Sequence, residues 1–99
     1  MQQITLTSKL ENRGHYVPGM ISGDKLYISG QLPVHHETGS PMADSIEQQT
    51  RDALHNVERV LLAAGCTKED VVLCRVYIPD VAAWDTVNAV YAAFFGSHR

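Results

Sequence analysis

The sequence predicts an α+β domain in which two helices cover one face of a small sheet. Three observations support this class. Short strand-like segments precede residue 30, apolar residues recur at helical spacing after Asp44 and again after Asp80, and a β-branched run separates the two helical segments. The predicted order is therefore β-β-β-α-β-α. With 99 residues, 44% of them hydrophobic and 19% charged, the chain is expected to form a single domain over residues 1–99 with a modest core.

The first three predicted strands precede a Pro- and Gly-rich loop at residues 30–43. Residues 2–7 alternate weakly between polar and apolar side chains, and a second short run covers residues 16–21. The turn-forming residues 22–25 separate that run from residues 26–29, so we expect a hairpin.

The first predicted helix begins after Asp44, where apolar side chains start to recur every three or four residues. Asp44 and Glu47 resemble a capping box, and Gly65 occupies the position of a glycine that follows a helix. The predicted apolar stripe consists of Ile46, Thr50, Ala53, Leu54, Val57, Leu61 and Ala64.

Residues 71–78 are predicted to form a strand because they are rich in β-branched side chains and are followed by Pro79. Side chains alternate between the two faces of a strand. The face expected to meet the helices carries Val72, Cys74, Val76 and Ile78, and the opposite face carries Val71, Leu73, Arg75 and Tyr77. Because the opposite face is too apolar to lie in water, we expect a subunit interface there, with a neighbouring loop as the alternative cover.

The second predicted helix begins at Asp80, whose side chain can cap it, and ends at Gly96. Its apolar stripe consists of Val81, Trp84, Val87, Tyr91 and Phe94 or Phe95.

The charge pattern argues against nucleic-acid binding. Eight Lys and Arg against 11 Asp and Glu give a net charge of −3, and the basic residues are scattered along the chain. The N-terminus lacks the features of a signal peptide, and no apolar run approaches the roughly 18 residues of a membrane span, so we expect a soluble, cytoplasmic protein. Cys66 and Cys74 match no zinc or redox spacing and are expected to be reduced.

Common nucleotide-binding and zinc-protease motifs are absent from the sequence. His35, His36 and Glu37 are metal-ligating residue types, but adjacent side chains in an extended loop point in opposite directions and no further ligand follows at a suitable spacing. We therefore expect no metal site. His55 falls within the first predicted helix and is expected to be a polar surface residue.

Two polar positions are candidates for ligand contact. Asn88 lies at the edge of the second helical stripe, where its amide must find partners either in the backbone or in a ligand. Ser29 and Gly30 follow a predicted strand and offer a hydroxyl and a close approach to the backbone, although such a pair also occurs in ordinary turns.

Several segments together resemble the reactive-intermediate deaminase family (RidA, YjgF type), and the resemblance covers nearly the whole chain. They are Gly-His-Tyr-Val-Pro-Gly at 14–19, Ser-Gly-Gln-Leu-Pro at 29–33, Asn-Val at 56–57 with Ala-Ala-Gly at 63–65, and Thr-Val-Asn-Ala-Val-Tyr at 86–91 with Phe-Phe at 94–95. The resemblance implies a chorismate-mutase-like subunit, a homotrimer whose sheets face the threefold axis, and ligand clefts between subunits.

The same resemblance implies an enzyme that hydrolyses 2-imino acids, or 2-aminoacrylate-type enamine tautomers, to 2-oxo acids and ammonia without a metal or cofactor. It implies catalytic roles for Tyr16, Ser29 and Asn88, and substrate binding by Gly30. His15 stands where the family often has proline, and Pro18 where it often has a polar residue. These departures affect the expected substrate preference.

The family continues after the second helix into a Pro-x-Arg strand, whose arginine pairs with the substrate carboxylate, and then into a strand with an acidic residue. The present sequence stops at residues 97–99, before both, and Arg99 does not match that arginine. We expect a chain that lacks these last strands to be a poor deaminase, since losing a bidentate arginine–carboxylate pair costs about 2–4 kcal/mol.

Two other functions compete with the deaminase hypothesis. A trimer could bind a small carboxylate metabolite in its clefts without catalysis and regulate a partner enzyme. A ribonuclease or translation-inhibitor activity is attributed to some relatives, but the acidic balance and the scattered basic residues disfavour it.

Overall fold

The computed structural model describes residues 2–6, 17–78 and 80–96. Within these ranges the chain forms a three-stranded sheet and two α-helices, which confirms the predicted α+β class. The elements are β1 (Gln2–Ile4), β2 (Gly19–Ser22), β3 (Lys25–Ile28), α1 (Ile46–Ala63) and α2 (Trp84–Phe95), with short 3-10 helices at Lys68–Asp70 and Val81–Ala83.

The sheet is antiparallel in the order β1-β2-β3. Ser22 pairs with Lys25 across a tight turn, and Gly23 in that turn has a φ of 62°, a conformation that favours glycine. The hairpin predicted from the turn residues is therefore confirmed.

The strand predicted over residues 71–78 is wrong, because the structure assigns no strand to this segment. A β-branched composition favours extended backbone, but a strand also requires a partner, and no strand of the described ranges pairs with these residues. The predicted alternation of faces fails as well. Val71 packs against the helices, whereas Val72 is 99% exposed and Val76 is 41% exposed.

Helix α1 begins one residue later than predicted. Its N-cap is Ser45, not Asp44, and the Ser45 hydroxyl accepts a hydrogen bond from the Gln48 backbone N–H at 3.1 Å. The capping box with Glu47 is therefore wrong, because the serine hydroxyl already binds one of the free N–H groups of the first turn. The predicted end is confirmed, since Gly65 follows the helix with a φ of 79°.

Asp80 caps the 3-10 turn that leads into α2, accepting a hydrogen bond from the Ala82 N–H at 2.9 Å. The helix ends at Gly96 as predicted. The first part of the predicted apolar stripe is wrong, because Val81 is 85% exposed and Trp84 is 52% exposed. A 3-10 turn has about three residues per turn, so helical spacing carried back into it misplaces the side chains.

The core lies where the two helices pack together and against the sheet. Leu54 of α1 packs with Val90 and Phe95 of α2, and Val71, Tyr91 and Phe94 surround this cluster. On the sheet side, Val60 is fully buried beside Gly19 of β2. A Cβ atom at position 19 would lie 2.8 Å from Val60 Cγ1, so glycine permits the close approach of α1 to the sheet.

Neither helix of the described ranges combines the length and apolar character needed to cross a bilayer.

Candidate functional site

The backbone just after β3 is fixed by its own hydrogen bonds. The backbone N–H and the hydroxyl of Ser29 both donate to the Pro18 carbonyl oxygen, at 3.0 and 3.1 Å. The Gln31 side chain folds back and donates to the Ser29 carbonyl at 3.1 Å and to its hydroxyl at 3.4 Å. The Ser29–Gln31 segment is thus an ordered strand end with a hydroxyl close to its surface.

Gly30 is exposed at this strand end, and a Cβ atom placed on it would meet no described residue within 4 Å. Its φ lies outside the left-handed region that favours glycine. Neither backbone conformation nor packing among the described residues therefore requires glycine at position 30. The absence of a side chain leaves the strand-end backbone open to an approaching molecule.

Asn88 is exposed on α2, between the buried side chains of Val87 and Val90. Its amide has no hydrogen-bond partner within residues 2–6, 17–78 and 80–96. The alternative in which this amide bonds to nearby backbone thus finds no support there, and the amide remains able to donate and accept bonds with a ligand.

The described residues contain only part of the predicted site. No hydrogen bond links Ser29 to Asn88 within them, and each lies on a different element. Tyr16, the third catalytic candidate, lies outside the described residues, as do His15 and residues 97–99. The roles of Tyr16, Ser29, Gly30 and Asn88 stay predictions.

The loop after the strand end is tied to α1 by side-chain contacts that the sequence did not reveal. His35 Nε2 lies 3.3 Å from Asp52 Oδ2. Glu37 Oε1 lies 2.9 Å from His55 Nε2 and 3.4 Å from Arg59 Nε. The His55 side chain is 60% exposed, so its prediction as a polar surface residue is confirmed, although it also holds the loop.

Two side chains of this loop have lowered pKa values. The hydrogen bond from His55, followed by the charges of His55 and Arg59, holds the pKa of the Glu37 carboxyl below its ordinary value. Partial burial, and then the charge of Arg59, lower the pKa of His36. Among the described residues, no three His, Cys, Asp or Glu side chains converge in a way that could hold a metal ion. Glu37 thus links the loop to α1 through its contacts with His55 and Arg59.

A buried asparagine attaches the same loop nearer to the strand end. Asn56 of α1 is 2% exposed, and its side-chain nitrogen donates to the carbonyl oxygens of Leu32 and Val34, both at 2.8 Å. Sequence analysis assigned Asn56 no role. The available signal was its position among the apolar residues of a helical stripe, where a polar side chain needs a partner.

The comparisons with known proteins agree on one family. The model of the Endoribonuclease L-PSP family matches residues 6–99. A RutC family protein of Saccharolobus solfataricus is 38% identical over 98 residues, which cover 98% of this chain and 78% of that protein. The 2-iminobutanoate/2-iminopropanoate deaminase of Escherichia coli K12 is 41% identical over 86 residues, and the match covers 87% of this chain and 66% of the deaminase.

Solved structures show the same fold. The crystal structure of the YjgF gene product of E. coli has a TM-score of 0.89 at 35% identity, covering 99% of this chain and 76% of that one. The crystal structure of E. coli TdcF with bound serine has a TM-score of 0.90 at 33% identity, again covering 99% and 76%. The fold implied by the resemblance is confirmed.

Proposed function

Since the chain belongs to the reactive-intermediate deaminase family (RidA, YjgF type), we propose that it hydrolyses 2-imino acids, or their enamine tautomers, to 2-oxo acids and ammonia. The observation that carries this proposal is the 41% identity over 86 residues to the E. coli 2-iminobutanoate/2-iminopropanoate deaminase. The match covers just under two thirds of that enzyme, so the proposal extends its named activity to a chain that aligns with part of it.

The proposed reaction adds water to the imine carbon and then releases ammonia. The oxygen of water forms a bond to the carbon of the C=N group while one proton of the water moves to nitrogen, which gives a carbinolamine. The hydroxyl proton of the carbinolamine then moves to nitrogen, the C–N bond breaks, and the carbonyl and ammonia form. An electrophilic imine carbon requires a held carboxylate, a polarised C=N bond and a positioned water. Polarising the C=N bond and positioning the water are tasks for oriented hydrogen-bond donors and acceptors.

The described residues can supply several of these groups. Ser29 presents a hydroxyl at an ordered strand end, and exposed Gly30 lets the substrate approach the backbone. The exposed amide of Asn88 can donate to the substrate or accept from water. We assign Tyr16 a catalytic role through its phenol, as the family resemblance implies.

A homotrimer is part of the proposal because the family resemblance implies ligand clefts between neighbouring subunits. The segment over residues 71–78 exposes apolar side chains on both of its predicted faces, with Val72 exposed by 99%, Leu73 by 71% and Tyr77 by 86%, and another subunit could cover this surface. A cleft between neighbouring subunits could bring Asn88 of one chain to Ser29 of the next.

The test couples an amino-acid oxidase, which generates the imine, to detection of the 2-oxo acid. Ser29→Ala, Asn88→Ala and Tyr16→Phe are each expected to lower kcat/KM by roughly 10- to 1000-fold, as removal of an oriented donor does in comparable sites. Thr86→Ala is the matched control, since Thr86 is exposed on a different side of the same helix. If the three site variants keep the same kcat/KM as Thr86→Ala, the site assignment is refuted.

The bound serine in the TdcF structure favours one alternative, a module that binds a small amino acid or carboxylate without catalysis. Calorimetry with serine separates the two functions. Serine binding by a wild-type protein that does not accelerate imine hydrolysis would replace the enzymatic proposal by the binding module.

A further inference from the structure

Asn56 is a polar side chain buried between α1 and the loop after β3. Its two amide hydrogens satisfy the Leu32 and Val34 carbonyl oxygens at 2.8 Å each. A buried polar group that loses its hydrogen-bond partner destabilises the fold. The Asn56 amide and the two loop carbonyls therefore hold each other in place.

The two carbonyls belong to the backbone that immediately follows Ser29, Gly30 and Gln31. Gln31 in turn donates to the carbonyl and the hydroxyl of Ser29. A continuous series of short contacts therefore connects the buried amide on α1 to the hydroxyl proposed to meet the substrate.

The other attachments of this loop differ in place and in character. The ion pairs of Glu37 are exposed, with 61% of its side chain accessible. Gln49 donates to the Ala43 carbonyl at 2.7 Å, at the far end of the loop. His35 lies 3.3 Å from Asp52, with 31% and 13% of the two side chains exposed. Among these attachments within the described residues, Asn56 is the most buried and lies closest in sequence to the strand end.

We infer that Asn56 is a positioning residue for the proposed site, holding residues 32–34 so that Ser29 and Gly30 keep the geometry that substrate binding needs. This inference rests on the proposed function. Asparagine suits the position because it brings two donors and no charge. Aspartate would place a carboxylate against two carbonyl oxygens, and serine would offer at most one donor.

The experiment compares Asn56→Asp and Asn56→Ser with Gln49→Ala, the matched control that releases the far end of the same loop. Amide hydrogen exchange at Ser29, whose N–H donates to Pro18, reports the order of the strand end directly. In both Asn56 variants we expect this exchange to accelerate about tenfold and KM to rise about tenfold. The value of kcat, expressed per folded protein, should change less. Gln49→Ala should leave both values unchanged.

Several outcomes would overturn the inference. Unchanged Ser29 exchange and KM in a folded Asn56 variant would do so, and so would equal effects of Gln49→Ala. If Asn56→Asp does not fold, the measurements on Asn56→Ser test the inference. If neither Asn56 variant folds while Gln49→Ala does, Asn56 has a purely structural role and the inference is overturned. Absence of imine hydrolysis by the wild type refutes the proposed function separately, because the exchange measurement does not require turnover.

Discussion

Replacing Gly30 by alanine separates a requirement of folding from a requirement of the substrate. The added Cβ meets no atom of the described residues within 4 Å, and the backbone at this position is outside the left-handed region. The folded subunit can therefore accept the methyl group without strain. Because alanine has less freedom than glycine in the unfolded chain, stability should stay level or rise by up to about 1 kcal/mol.

The effect on catalysis should be the opposite. If substrate lies against the strand-end backbone, the methyl group occupies its space, and overpacking of this size costs about 1–3 kcal/mol. That penalty corresponds to a fall in kcat/KM of roughly 5- to 150-fold. A urea titration and the oxidase-coupled assay on the same Gly30→Ala preparation measure both quantities.

Two results would refute this reasoning. Unchanged kcat/KM would show that no substrate approaches the strand end at Gly30. A loss of stability equal to the loss of activity would show that the glycine serves the fold or the assembly, which sedimentation of the same sample would detect.

Three further predictions concern packing, assembly and pH. Gly19→Ala should lower the free energy of unfolding by about 1–3 kcal/mol, because the new Cβ would lie 2.8 Å from Val60 Cγ1. In a double-mutant cycle, Gly19→Ala should cost less in a Val60→Ala background than in the wild type, and equal costs would contradict the contact. Leu73→Asp should weaken assembly, measured by sedimentation, more than the control Leu62→Asp, which changes a leucine on α1 that is 60% exposed. Equal effects would argue against the interface. Since the pKa of Glu37 is lowered in the folded state, the ionised carboxylate contributes stability above its ordinary pKa of 4.5, and this contribution is lost as pH falls through the folded pKa. Glu37→Gln should therefore reduce the fall of the thermal unfolding midpoint below pH 4.5, and parallel pH profiles of the two proteins would contradict the pairing.

The elements predicted correctly are those whose signals are local. The turn at residues 22–25 and the helix that ends before Gly65 depend on neighbours a few positions apart, which the sequence displays directly. Residues 71–78 have a strand-like composition, but pairing depends on a distant partner that composition does not specify. Helical spacing likewise misplaced Val81, because the chain enters α2 through a 3-10 turn.

The same distinction holds for the candidate site. Ser29, Gly30 and Asn88 were identified from motifs of a few residues, and the structure shows an ordered strand end and an exposed amide at these positions. The bond from Asn56 to Leu32 spans 24 residues, so the partner could not be read from the helix alone. The pairing of His55 with Glu37 spans 18 residues and was missed for the same reason.

The most direct test of the deaminase proposal measures how long the free imine persists. An amino-acid oxidase acting on 2-aminobutanoate forms one hydrogen peroxide for each imine, so peroxide reports imine production while 2-oxobutanoate reports its hydrolysis. Without a catalyst, the 2-oxo acid lags behind the peroxide. The proposal predicts that the wild-type protein shortens this lag in proportion to its concentration and leaves peroxide production unchanged. A lag that is independent of protein concentration would contradict it.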